Sequence, residues 1–110
     1  MRKSILQDEK KCFITGYEGG RLDRHHVYHG PRRKASEKWG CWVWLRHDIH
    51  MELHQQNPEL DRMIKRACQE RFEEIYSHEE FMEVFGKNYL RDEKLEAELK
   101  KELEKIMDGG

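Results

Sequence analysis

The chain has 110 residues, which suits one small domain and leaves little room for a second. It is 39% charged and 36% hydrophobic, with a mean hydropathy of -1.08. No apolar run approaches the roughly 18 residues that a membrane span requires, and the first residues lack a signal-peptide pattern, so a cytoplasmic protein is expected. The net charge of -1 conceals an asymmetry. Residues 1–50 hold 11 Lys/Arg against 6 Asp/Glu, and residues 51–110 hold 10 against 16. Five of the seven histidines lie in the basic half, the half suited to face a polyanion.

Residues 1–11 are polar and read as a flexible N-terminal lead. Cys12–Thr15 reads as a short strand, closed by Gly16 and the Gly19-Gly20 turn signal. Leu22–Tyr28 is a second extended piece, broken by Gly30-Pro31 and followed by the basic loop Arg32-Arg33-Lys34. Ser36–Lys38 is ambiguous, with one helical turn as an option. Trp39–Leu45, WGCWVWL, is too short for a typical helix and reads as a strand. Its tryptophans read as core more than as base-stacking groups.

Helical spacing begins at Arg46 and ends at Asn57-Pro58, an N-cap and N1 pair that starts the next helix. Leu60, Ile64, Ala67, Cys68, Phe72 and Ile75 give that helix an apolar face. Ser77 with Glu80 forms a capping box for a third helix through Phe85. A last helix runs from about Arg91 to Met107, with Leu95, Leu99, Leu103 and Ile106 as its stripe. That stripe either packs on the domain or mediates self-association as a homodimer. The pattern predicts an α+β chain with a helical C-terminal half. Cys12, Cys41 and Cys68 form no CxxC pair, so they read as three reduced thiols.

Two histidine clusters carry the chemistry. His25 and His26 are adjacent in an extended segment, so their side chains face opposite ways and can do different work. In RHDIHMELH, His47, His50 and His54 share one helical face, and His50 and His54 have the i, i+4 spacing by which a helix gives two imidazoles to one ion. Three imidazoles with open positions suit a catalytic metal better than a closed structural one. The bland alternative is a solvated, His-rich helix face.

The stretch Leu22–His54, LDRHHVYHGPRRKASEKWGCWVWLRHDIHMELH, resembles the HNH endonuclease superfamily. It is similar in particular to small phage and prophage HNH proteins related to the recombination-enhancing, RecA-dependent nuclease. FGKNYL at 85–90 extends the likeness, which covers roughly residues 12–90. The resemblance implies a ββα-metal (His-Me finger) core over 12–57, with 58–110 as a helical extension. It implies one divalent metal (Zn, Ni, Mn or Mg) on His25, His50 and His54, the last two as in the nuclease colicins. His26 would be the general base, and His47 would support the ligands from behind. Hydrolysis of DNA, double- or single-stranded, would leave a 5′-phosphate. Arg32, Arg33, Lys34 and Arg46 would contact the DNA. A RecA filament or another phage or host protein is the expected protein partner, in the cytoplasm of a bacterial host. The rival expectation is an HNH shell without catalysis that binds DNA or a host protein.

The chain departs from the family pattern in two ways. The middle asparagine of the HNH signature should fall near Cys41, and no asparagine is there. Since that residue orients the base, a backbone carbonyl or another side chain must replace it. Positions that are cysteines in many phage relatives read Cys12, Thr15 and Arg46, so no second, structural zinc is expected.

Overall fold

The computed structural model describes residues 2–91 and 93–108, excluding the side chains of 93–95 and 108. The elements in chain order are β1 (Leu22–His26), a 3-10 turn (Gly30–Arg32), α1 (Arg33–Trp39), β2 (Trp42–Arg46), α2 (His47–Gln56), α3 (Pro58–Ile75), α4 (His78–Phe85) and α5 (Glu93–Asp108). The α+β expectation is met by five helices and one two-stranded sheet among the described residues.

β1 and β2 pair antiparallel, from Leu22 opposite Arg46 to His26 opposite Trp42. Their connection is no tight turn, because it contains the 3-10 turn and α1. The basic stretch read as a loop is therefore ordered, and the ambiguous Ser36–Lys38 is the middle of α1. Buried Ser36 fastens this helix to the end of the β1 segment. Its Oγ accepts from Tyr28 N at 3.1 Å and donates to Tyr28 O at 2.6 Å. Gly40 ends α1 at φ +72°, and a Cβ there would lie 2.4 Å from the Lys3 carbonyl oxygen, so only glycine fits the turn into β2.

Cys12–Thr15 forms a turn and not a strand, with Gly16 N donating to Cys12 O and Cys12 N to Tyr17 O. The apolar character that suggested a strand reflects packing, since Cys12 is buried and Phe13 lies against the core. The lead expected to be flexible is tied down along β2. Ile5 N donates to Gly40 O, Ser4 Oγ to Trp42 O, and Phe13 N to Trp44 O, while Gln7 Oε1 accepts from Trp44 N. Residues 4–13 thus satisfy Trp42 O and both backbone groups of Trp44, which β2 would otherwise leave open as an edge strand.

The core lies between the sheet and α3–α4. Val43 and Leu45 of β2 meet Ile64, Cys68 and Phe72 of α3, and Phe81 and Phe85 of α4, with Tyr28 and Cys41 from the flanking segments. The helix starts follow their caps: Asn57 Oδ1 accepts from Leu60 N at 3.0 Å, and Ser77 Oγ from Glu80 N at 3.1 Å. α5 behaves differently. Leu99, Leu103, Ile106 and Met107 are all exposed, so this part of the stripe does not pack on the domain. The Leu95 side chain lies outside the described residues. None of the described helices is long and apolar enough to cross a membrane.

Candidate metal centre

β1 and α2 build the site. α2 starts at the residue after β2 ends, so the strand direction aims the helix, and His47 N donates to Arg21 O to fix the corner. Buried Leu53 and half-buried Ile49 set the rotation of α2 about its axis. His50 and His54, one turn apart, then face His25 on β1. Ring centroids lie 5.3 Å apart for His25 and His50, 5.9 Å for His25 and His54, and 4.7 Å for His50 and His54.

One ring nitrogen from each of His25, His50 and His54 falls within 4.8 Å of the other two, close enough for the three to hold a metal ion. His50 Nε2 and His54 Nε2 are 3.0 Å apart. Two imidazoles on one tetrahedral ion place their nitrogens about 3.3 Å apart, since metal–nitrogen bonds are about 2.0–2.1 Å. His25 is 2% exposed, and its Nε2 is buried without a hydrogen-bond partner. A buried polar nitrogen without a partner is costly, and a cation would satisfy it. The donor set therefore fits an imidazole-preferring divalent metal. Burial, reinforced by the neighbouring His50 and His54, lowers the His25 pKa to about 3, so the ring is neutral and able to ligate at neutral pH. Burial also lowers His54, with His50 as a second cause.

Asp23 is the group that pattern reading missed. It lies two residues before His25 on β1 and hence on the same face. Its Oδ2 accepts from His47 Nδ1 at 2.6 Å and from His50 Nδ1 at 3.0 Å, and its Oδ1 faces Arg21 Nε at 3.3 Å. The His47 hydrogen bond, aided by that of His50, holds the Asp23 carboxyl at about 2 against the opposing effect of burial. The bond from His50 Nδ1 leaves His50 Nε2 to face the cluster, the arrangement by which a carboxylate fixes the tautomer of a ligand. His47 is thus a partner of Asp23 and stands outside the clustered trio. The i, i+2 spacing of Asp23 and His25 on a strand was the available signal.

His26 occupies the other face of β1, where its Nε2 lies 2.9 Å from Glu37 Oε1 on α1. The four expected DNA contacts differ in their surroundings. Arg32 donates through Nε to Phe85 O at 2.7 Å, joining the 3-10 turn to the end of α4. Arg46 is held by both carboxylate oxygens of Asp48, at 2.6 and 2.9 Å. Arg33 and Lys34 are exposed at the start of α1. His29 approaches the cluster with its ring 6.3 Å from that of His25. Its Nε2 lies 3.7 Å from Asp61 Oδ1, a buried oxygen without a hydrogen-bond partner. His29, His54, Asn57 and Asp61 line a cavity of about 250 Å³ that borders the cluster at His54.

No family model, curated protein or solved structure matches the chain.

Proposed function

We propose that the chain is a metal-dependent endonuclease of the HNH type, phage or prophage encoded, that hydrolyses DNA phosphodiesters through a ββα-metal core at 12–57. The observation that carries this reading is the trio His25, His50 and His54, with its ligating nitrogens within 4.8 Å and a buried His25 Nε2 that lacks a partner. The order strand, strand, histidine-bearing helix and the adjacent His26 support it further.

Phosphodiester hydrolysis requires an activated water and positive charge on the phosphate. His25, His50 and His54 would hold the divalent ion (Zn, Ni, Mn or Mg), with Asp23 fixing the His50 ring. When bound, that ion would supply positive charge to a scissile-phosphate oxygen and to the leaving oxygen. His26 would take the proton of the attacking water as general base. Exposed Arg33 and Lys34 would bind flanking phosphates without reading sequence. Arg32 and Arg46 already have protein partners and would join only by exchanging them.

The test is nicking of supercoiled plasmid by purified protein in each of the four metals, beside His26→Ala and the double variant His50→Ala/His54→Ala. Cleavage should fall by orders of magnitude in both, with metal retained only in the first. Cleavage that persists in His26→Ala would remove the base assignment. The exposed stripe on α5 favours a second reading, an HNH shell that docks on a host protein without cutting. Absence of cleavage by the wild type in all four metals would select it.

A further inference from the structure

The most informative contact outside the metal trio lies on the opposite face of the same strand. His26 Nε2 is 2.9 Å from Glu37 Oε1, and the His26 side chain is only 12% exposed. A carboxylate accepts and cannot donate when ionised, so the shared proton sits on Nε2. In a neutral imidazole the other nitrogen, Nδ1, then carries the lone pair.

The two residues are held by separate anchors. His26 is fixed by strand pairing opposite Trp42. Glu37 follows Ser36, whose buried hydroxyl binds both backbone groups of Tyr28 and whose carbonyl accepts from Cys41 N at 2.8 Å. The short helix α1 is therefore fastened to both ends of the connection it belongs to. Those buried bonds fix the Glu37 backbone beside His26, from which its carboxylate reaches Nε2. From the sequence the two residues are 11 apart on different elements, a spacing with no periodic meaning.

We infer that Glu37 is a positioning residue for His26: it holds the ring through Nε2–H and leaves Nδ1 as the nitrogen that accepts a proton. The inference rests on the proposed nuclease reading only for its catalytic consequence. In that step the water proton passes to His26 Nδ1 as the water oxygen bonds to phosphorus. The phosphorus–oxygen bond to the leaving group breaks, and its electron pair departs with the leaving oxygen, which is protonated from solvent. A ring free to rotate or to exchange tautomers would present a lone pair to the water only part of the time. The geometry thus assigns to a glutamate on α1 the orienting role for which the strand near Cys41 offers no side-chain amide.

The experiment is long-range nitrogen–proton NMR of the full chain with ¹⁵N-histidine, at one fixed pH, for the wild type, Glu37→Ala and Glu37→Gln. Glu37 is partly exposed, so neither variant removes core packing, and circular dichroism checks the fold. In the neutral ring, wild-type His26 should carry its proton on Nε2. Glu37→Ala should show both tautomers, and Glu37→Gln, which keeps a carbonyl acceptor, should restore the wild-type pattern. In plasmid cleavage, Glu37→Ala should lower kcat roughly a hundredfold, with KM and metal affinity within twofold of wild type. Glu37→Gln should recover most of the loss. An unchanged His26 tautomer in Glu37→Ala overturns the inference, as does an unchanged kcat in a cleaving protein. A wild type that cleaves nothing removes the nuclease reading, while the NMR comparison still decides whether Glu37 positions His26.

Discussion

Asp23 on β1 accepts a 3.0 Å hydrogen bond from His50 Nδ1 on α2, and this bond makes a strand and a helix into one site. The same oxygen accepts from His47 at 2.6 Å, so a single carboxylate restrains two histidines of the helix and sits two residues from the third ligand candidate on the strand. Removing it frees the His50 ring to rotate and exchange tautomers. Asp23→Ala should therefore weaken metal binding by about 10- to 100-fold, measured by competition with a chromogenic chelator. Equal affinity in the variant would show that the trio organises itself without the carboxylate.

Metal should stabilise the fold through the same trio. A ligand that binds only the folded state adds about 2.7 kcal/mol at one hundred times its Kd. His54 is exposed, so His54→Ala should leave the Tm of metal-free protein nearly unchanged. The rise in Tm on adding zinc or nickel should be large in the wild type and small in that variant. Equal rises would place the ion elsewhere.

The metal-free protein should be sensitive to mild acid. Burial lowers His25 to about 3, against about 6.5 in an unfolded chain. Between those values the unfolded state binds a proton that the folded state refuses, so stability falls as pH drops below about 6.5. Asp23, held at about 2 against about 3.9 unfolded, adds a second loss that begins near pH 4 and completes below pH 2. Urea midpoints of metal-free protein should decline from pH 7.5 to pH 5, and the decline should steepen towards pH 3. A midpoint flat down to pH 5 would contradict a buried neutral His25.

The basic stretch should divide by role. Arg33→Ala/Lys34→Ala should keep the Tm and reduce the slope of log K against log salt for DNA binding by about 2, since each phosphate left without its cation accounts for about 0.9. Arg32→Ala should instead lower stability by about 1 kcal/mol, because the Phe85 carbonyl loses its charged donor. A salt slope unaffected by the double variant would exclude Arg33 and Lys34 from the proposed DNA contact.

The α5 stripe makes a prediction about stability. Leu99 and Leu103 are more than half exposed, so Leu99→Glu/Leu103→Glu should change unfolding free energy by no more than about 0.5 kcal/mol at low protein concentration. A large loss would mean that α5 is covered in solution, and sedimentation would then tell whether a second copy covers it.

The elements with strong local signals were readable in advance. The caps at Asn57 and Ser77, the periodic apolar face of α3 and the i, i+4 pair His50 and His54 are all set by residues within a turn or two of one another. The strand-like reading of Cys12–Thr15 failed because its apolar residues pack as a turn, and no local pattern separates the two. The α5 stripe was legible as a helix, but its exposure was not, because amphipathicity does not say whether a partner face exists.

Chain pattern alone was enough for the helical C-terminal half, for the imidazole pair on α2 and for the opposed faces of His25 and His26, since helix and strand periods dictate which neighbours share a face. Only the folded chain brought His25 to within reach of that pair, put Asp23 behind His50 and set Glu37 against His26. Those three relationships join residues on different elements, and their distances depend on strand register, on the aim of α2 and on the Ser36 anchor of α1. Such quantities are fixed by packing across the molecule and leave no trace in sequence spacing.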